Sequence, residues 1–149
     1  MNDSRRSFIQ AGVALLGLMA LAPLKALAAI WNKPAFESTS VDGALAGLDA
    51  KSPQPSKDIV LSAPDLAENG AIVQIEVESR IPNTEAIAII SDKNPTPLIA
   101  NFVFSEGVDP YVVTRIKMAE TSELRAVVKA GGRYFMASRK VEVAVGGCG

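Results

Sequence analysis

Apolar and polar residues alternate along most of the chain, and this period of two restricts the folds that the chain can adopt. Seven short runs share the pattern, at residues 58–62, 71–79, 85–91, 97–104, 111–118, 122–130 and 133–145. Because successive side chains of a strand point to opposite faces, each run predicts a strand with one buried and one solvated face. Seven strands with turns about every ten residues predict an antiparallel β-sandwich of the immunoglobulin-like type. A small closed barrel is the alternative.

Turn signals separate these runs. The strongest is Gly131-Gly132, which joins the last two runs through two residues that tolerate positive φ and therefore predicts a β-hairpin. The remaining signals are Asn69-Gly70, Pro82-Asn83, Asn94-Pro95, and Gly107 with Asp109-Pro110.

A different period precedes the strands. Within residues 34–48 apolar side chains recur at helical spacing and two serines are possible caps; they are Phe36, Val41, Leu45 and Leu48, with Ser38 and Ser40. This segment therefore predicts a short amphipathic helix. Prolines at positions 53 and 55 remove backbone donors, which predicts a linker or edge loop over residues 52–56. We expect a helix and linker at 29–56 and a β-sandwich at 57–145.

The first 28 residues have the three regions of a secretory signal. A segment containing Arg5 and Arg6 is followed by the twelve uncharged residues 11–22 and by the Ala-Leu-Ala sequence at 26–28. Twelve residues rise only about 18 Å in a helix, against a hydrocarbon core of about 30 Å, so we expect no permanent membrane anchor. Paired arginines with Phe8 are typical of a twin-arginine (Tat) signal, and an ordinary Sec signal is the alternative. Cleavage is expected after Ala28, on the far side of the membrane.

The composition excludes several classes of function. The chain contains no His and a single Cys among 149 residues. Imidazole is the commonest general base near neutral pH and the commonest metal ligand, so Ser-His-Asp catalysis, Cys-His catalysis and zinc-finger sites are excluded, and no cofactor is expected. With 15 Lys plus Arg against 16 Asp plus Glu, the chain also lacks the basic excess of a sequence-independent nucleic-acid binder.

The most unusual segment is the C-terminal tail, Gly146-Gly147-Cys148-Gly149. Cysteine is among the most buried residue types, yet these neighbours offer no apolar side chain to bury it with. Glycine leaves the backbone free to take almost any φ and ψ, so the sequence predicts a mobile and accessible thiol. Cys148 is the third residue after Val145, so the sulfur can stand about 10 Å beyond the domain.

Such a thiol suits an acceptor of groups better than a catalyst. A catalytic cysteine needs a neighbouring positive charge or a helix N-terminus to lower its pKa, and the terminal carboxylate of Gly149 acts in the opposite direction. A slim, glycine-flanked sulfur can instead enter the active sites of other enzymes. Two alternatives remain: a structural or adhesive domain that uses Cys148 for an intermolecular disulfide, and a thiol enzyme, which the missing base disfavours.

Two other groups of charged residues have both a chemical and a structural interpretation. Glu76 and Glu78 lie two positions apart, as a carboxylate pair or as part of a solvated strand face. Six basic residues in the last three runs form either a cationic patch for anions or an acidic partner, or a mixed solvent face; they are Arg115, Lys117, Arg125, Lys129, Arg139 and Lys140.

The glycine-flanked terminal cysteine resembles that of the SoxY family, the sulfur-carrier subunits of the bacterial Sox thiosulfate-oxidation system. The resemblance extends through residues 59–71, 110–112, 115–121 and 127–132, and it covers most of the chain from Lys57 onward. The family pattern usually ends Gly-Gly-Cys-Gly-Gly, whereas here a single glycine follows Cys148.

The resemblance implies a non-catalytic periplasmic carrier that holds sulfur covalently on Cys148, at the end of a swinging arm made with Gly146, Gly147 and Gly149. It implies a heterodimer with a second small β-domain, SoxZ-like, which can cross the membrane as a folded passenger of a Tat signal. It further implies that a SoxAX-like haem enzyme couples thiosulfate to the cysteine and that a SoxB-like hydrolase releases sulfate. Where a SoxCD-like sulfane dehydrogenase exists, the remaining sulfur would be oxidised while still attached.

Overall fold

Two sheets packed face to face make up most of the computed structural model, which describes residues 32–147. Within that range the strands are β1 Gln54–Pro55, β2 Ile59–Ser62, β3 Leu66–Ala67, β4 Val73–Ser79, β5 Thr84–Ser91, β6 Leu98–Val103, β7 Tyr111–Ile116, β8 Ser122–Ala130 and β9 Arg133–Val143. The larger sheet has the order β1-β9-β8-β5-β6, with β3 also paired to β9, and the smaller sheet has the order β2-β4-β7.

This architecture confirms the predicted β-sandwich, since each of the seven alternating runs contains one strand. Strand boundaries and strand pairing differ from the sequence prediction in two details. Strand β9 ends at Val143 and not at 145, because the next backbone groups bond outside the β8–β9 pair. Strands β1 and β3, of two residues each, run parallel to β9, and β1 lies in the segment predicted to be a linker or edge loop.

The core between the sheets follows the predicted alternation. In β4, Val73, Ile75 and Val77 are buried, while Gln74 and Glu76 are exposed. These valine and isoleucine side chains belong to one apolar cluster with residues of the facing sheet, among them Ile87, Ile89, Leu124 and Val128. Their removal from water is the main source of the stability of the sandwich.

Two short helices cover the outer face of the larger sheet, where the sequence predicts a single helix over 34–48. Helix α1 is Lys33–Phe36 and helix α2 is Val41–Gly47. The chain breaks between them because Ser40 is extended and caps α2, its side chain accepting a hydrogen bond of 3.1 Å from the Gly43 amide. The predicted capping role of Ser40 is therefore confirmed, and the continuous helix is wrong.

Strand β5 differs from the prediction of one buried and one solvated face, because the helices cover the face that was expected to be solvated. Its residues Ala88 and Ile90 are buried in a second apolar cluster with Ala35 and Ala44 of the helices, while Ile87 faces the core between the sheets. A strand that is covered on both faces reads as a continuous apolar run.

Specific polar contacts join the loops to the sheets. Arg125 of β8 donates two hydrogen bonds, of 2.7 and 2.6 Å, to the carboxylate of Asp92, which follows β5, and this pairing raises the pKa of Arg125. At the opposite end of β8, Gly131 and Gly132 have φ values of 56° and 71°, as the hairpin prediction requires. Within residues 32–147, no helix has the length and hydropathy needed to cross a membrane.

Candidate functional site

The C-terminal tail leaves the sheet at Val143 and continues along one end of the sandwich. The Ala144 amide donates a hydrogen bond of 3.0 Å to the carbonyl of Ala67, the last residue of strand β3. The Val145 carbonyl then accepts one of 2.7 Å from the Gly70 amide. Finally, the Gly147 amide donates one of 3.0 Å to the Met118 carbonyl. Backbone hydrogen bonds therefore hold the tail against the domain as far as Gly147.

The two segments that receive the tail, residues 69–71 and 117–119, are themselves tied together, and we call them the tail cradle. The Met118 amide donates a hydrogen bond of 2.8 Å to the Gly70 carbonyl. Met118 is fully buried in the main core, so its position is set by packing. The side chain of Asn94 donates a bond of 2.8 Å to the Lys117 carbonyl and accepts one of 2.9 Å from the Ala119 amide.

Close approach of backbones explains the glycines at this site. A Cβ atom at Gly146 would collide with the carbonyl oxygen of Ala119, and one at Gly147 would collide with the backbones of Gly70 and Ala71. Gly70 is buried, and a Cβ atom there would collide with the Met118 carbonyl. The glycines of residues 32–147 that have positive φ are elsewhere, at 107, 131 and 132. Glycine is therefore required at positions 70, 146 and 147 because it has no side chain, and not because it tolerates positive φ.

Of the four predicted site residues, Gly146 and Gly147 lie in this arrangement, and Cys148 and Gly149 lie outside the described residues, as does the signal segment. Sequence reasoning missed Gly70 and Asn94, which appeared only as parts of turn signals. Nothing in a single sequence distinguishes a turn glycine from a glycine that a second segment packs against.

The other charged groups fit the structural interpretation. Four of the six basic residues pair with carboxylates: Arg125 with Asp92, Lys129 with Glu85, Arg139 with Asp65, and Lys140 with Glu142. On β4, Glu78 binds Arg80, and a hydrogen bond to Glu76 raises the pKa of the exposed Tyr111 phenol. In the part of the chain that the structure describes, no three side chains of metal-binding type cluster together.

The fold and the tail together define a class of protein, a β-sandwich whose slim tail of glycines leads to Cys148, the only cysteine of the chain. Comparison with known proteins gives the class a name. The family model "Sulfur oxidation protein SoxY" matches residues 45–148. The structure of the sulfur carrier protein SoxY from Chlorobium limicola f thiosulfatophilum matches with 37% identity and a TM-score of 0.65, over 71% of this chain and 97% of that one.

The chain belongs to the SoxY family and is a sulfur carrier of sulfur oxidation. A structure of the bacterial superantigen toxic shock syndrome toxin-1 also matches, with 16% identity and a TM-score of 0.41, over 57% of this chain and 98% of that one. That likeness has no bearing on function. The search of curated proteins found no match.

Proposed function

We propose that the chain is a periplasmic carrier of thiosulfate oxidation that holds sulfur intermediates covalently on Cys148. The observation that carries the proposal is the position of the single cysteine. It directly follows Gly146 and Gly147, which place no side chain between it and the domain. The family match, which extends to residue 148, supports the same assignment. Export through a Tat signal with cleavage after Ala28 completes the proposal, and the Arg5-Arg6 segment supports it.

The proposed chemistry balances with enzymes supplied by partners. A thiol and thiosulfate combine as R–SH + S–SO3²⁻ → R–S–S–SO3⁻ + H⁺ + 2 e⁻, and a SoxAX-like haem enzyme takes the two electrons. A SoxB-like hydrolase then adds water, R–S–S–SO3⁻ + H2O → R–S–SH + SO4²⁻ + H⁺. The persulfide sulfur left on Cys148 is the substrate for further oxidation, by a SoxCD-like sulfane dehydrogenase where one exists. In each step the carrier provides the sulfur atom of attachment and the partner provides the activation.

The first prediction is that the mature protein, purified from cells fed with thiosulfate, carries sulfur adducts on Cys148. Intact-mass measurement should show a thiosulfonate adduct (R–S–S–SO3⁻) and a persulfide, both removed by a thiol reductant, and peptide mapping should place them at Cys148. The competing function is a structural domain with a permanent intermolecular disulfide. A single reducible dimer without adducts, at every thiosulfate concentration, would support that competitor and contradict the carrier assignment.

The second prediction concerns the proposed SoxZ-like partner. Within residues 32–147, β6 pairs only with β5 and β7 pairs only with β4, so each sheet has an open edge. Exposed apolar side chains accompany these edges, among them Val103, Tyr111 and Val113. Open edges must be blocked or paired, which makes a second β-domain the expected occupant. A stable heterodimer should copurify from the periplasm. Recovery of the mature chain only as a monomer, at micromolar protein concentration, would contradict the prediction.

A further inference from the structure

We propose that the tail cradle is a latch that holds residues 145–147, with Gly70 and Asn94 as positioning residues. The swinging arm then has two forms, a short latched form and a long released form. The latch itself is a property of the described residues. Its role in delivering sulfur rests on the proposed function.

The contacts of the tail define the latched form. Two backbone hydrogen bonds close it, from Gly70 to Val145 and from Gly147 to Met118. Both use the cradle, which the Gly70–Met118 hydrogen bond and the side chain of Asn94 hold in place. These two hydrogen bonds hold a segment in which Val145 and Gly146 are exposed. Hydrogen bonds of this kind open locally while the core stays folded.

Opening the latch changes the reach of the sulfur. In the latched form Cys148 directly follows the held residue Gly147, which gives a backbone length of about 3.5 Å. If the tail is released back to the end of β9 at Val143, five residues lead to Cys148, which extends to about 17 Å. An enzyme whose reactive group lies deeper in a channel than the latched tail can reach would therefore receive the thiol only from the released form.

The latched form requires glycine at positions 146 and 147. The latched form brings Gly147 against the backbone of Gly70 and brings Gly146 against Ala119, at separations that exclude a Cβ atom. A methyl group at position 146 would meet only Ala119, outside the apolar core, so Gly146→Ala is expected to open the latch and leave the sandwich intact.

Amide hydrogen exchange, measured by NMR on the mature protein, tests the latch without any sulfur chemistry. In the parent, the amides of Gly70 and Gly147 should exchange at least about tenfold more slowly than in an unstructured peptide. Gly146→Ala and Asn94→Ala should each remove most of this protection at Gly147, with the core amides of Ile87 and Val128 unchanged. Asn101→Ala, the same truncation on strand β6, is the matched control and should change none of them. Peptide-like exchange at Gly147 in the parent, or unchanged protection in Gly146→Ala, would overturn the latch.

Loading by the partner oxidase tests the role of release. At low oxidase concentration, Asn94→Ala should load thiosulfate several-fold faster than the parent, because the long form is more populated. The rate of labelling by a small thiol reagent serves as the reference for intrinsic reactivity. Slower loading with unchanged labelling would overturn the role of release. If no variant and no parent protein ever forms an adduct, the proposed function fails while the exchange result still decides the latch.

Discussion

Replacement of Cys148 by serine is expected to abolish sulfur carriage and to leave the melting temperature within about 2 °C of the parent value. The loss is complete because no other thiol in the chain can take the sulfur over. We expect the stability to be retained because, within residues 32–147, the tail is held by backbone hydrogen bonds up to Gly147 and the apolar clusters end earlier in the chain. Thiosulfate-dependent electron transfer with the partner enzymes and a thermal melt would measure the two quantities.

Each half of that expectation has its own contradiction. Electron transfer that persists in Cys148→Ser would remove the cysteine from the reaction and end the carrier assignment. A melting temperature lowered by many degrees would mean that the side chain of Cys148 packs against the domain. A purified variant with a native thermal melt and no electron transfer would confirm both halves of the expectation.

The second large effect is expected from the double substitution Gly146→Val with Gly147→Val. Branched side chains thicken the tail and restrict its backbone to extended conformations, while the thiol remains unchanged. Labelling by a small reagent should therefore proceed at the parent rate, and loading by the partner enzyme should lose most of its rate. Equal enzymatic loading of variant and parent would show that the enzyme meets Cys148 at the surface and receives no inserted tail.

The double substitution Gly146→Ala with Gly147→Ala is the matched control for this experiment. A Cβ atom at either position is already incompatible with the cradle, so both double variants release the tail. Only the valine variant also thickens it. If the alanine variant loads at least as fast as the parent and the valine variant does not, thickness is the cause. Equal loss in both variants would show that the docked tail itself is what the enzyme binds.

The parts of the fold that depend on local pattern are predictable from the sequence. The alternation of Val73, Ile75 and Val77 with polar neighbours predicts a strand with one buried face, and β4 has that burial pattern. Gly131-Gly132 predicts a hairpin, and both residues have the positive φ values of such a turn. These signals depend only on neighbours in sequence, so a single sequence without a structure is enough to predict these elements.

The features that depend on distant partners were not predictable. Strand β1 is two residues long and exists through its pairing with Phe135 and Met136 of β9, about eighty positions away. The division of the predicted helix, in contrast, has a local cause, since Ser40 is extended and its side chain caps the second helix. Only for β1 does a tertiary contact outweigh local preference.

The candidate site divides in the same way. The sequence identifies the glycine-flanked cysteine, because that composition is unusual wherever it occurs. It gives no sign that Gly70, some seventy-five positions earlier, lies against Gly147, since a turn glycine and a packing glycine look alike. Asn94 is hidden for a similar reason: its amide bridges Lys117 and Ala119 from a loop that ordinary turn chemistry already explains.

The location of the tail separates two kinds of encounter. Residues 69–71, 92–94 and 117–119 all lie at the end of the sandwich where β9 finishes, whereas the open edges of β6 and β7 run along its flank. Under the proposed function, enzymes that receive the sulfur would approach this end of the sandwich, and a β-domain bound along the flank would not block them. The same proposal implies that one partner could stay bound at the flank while the enzymes bind the other end one after another. Each step of the oxidation would then begin with dissociation from the previous enzyme, and the heterodimer would stay intact.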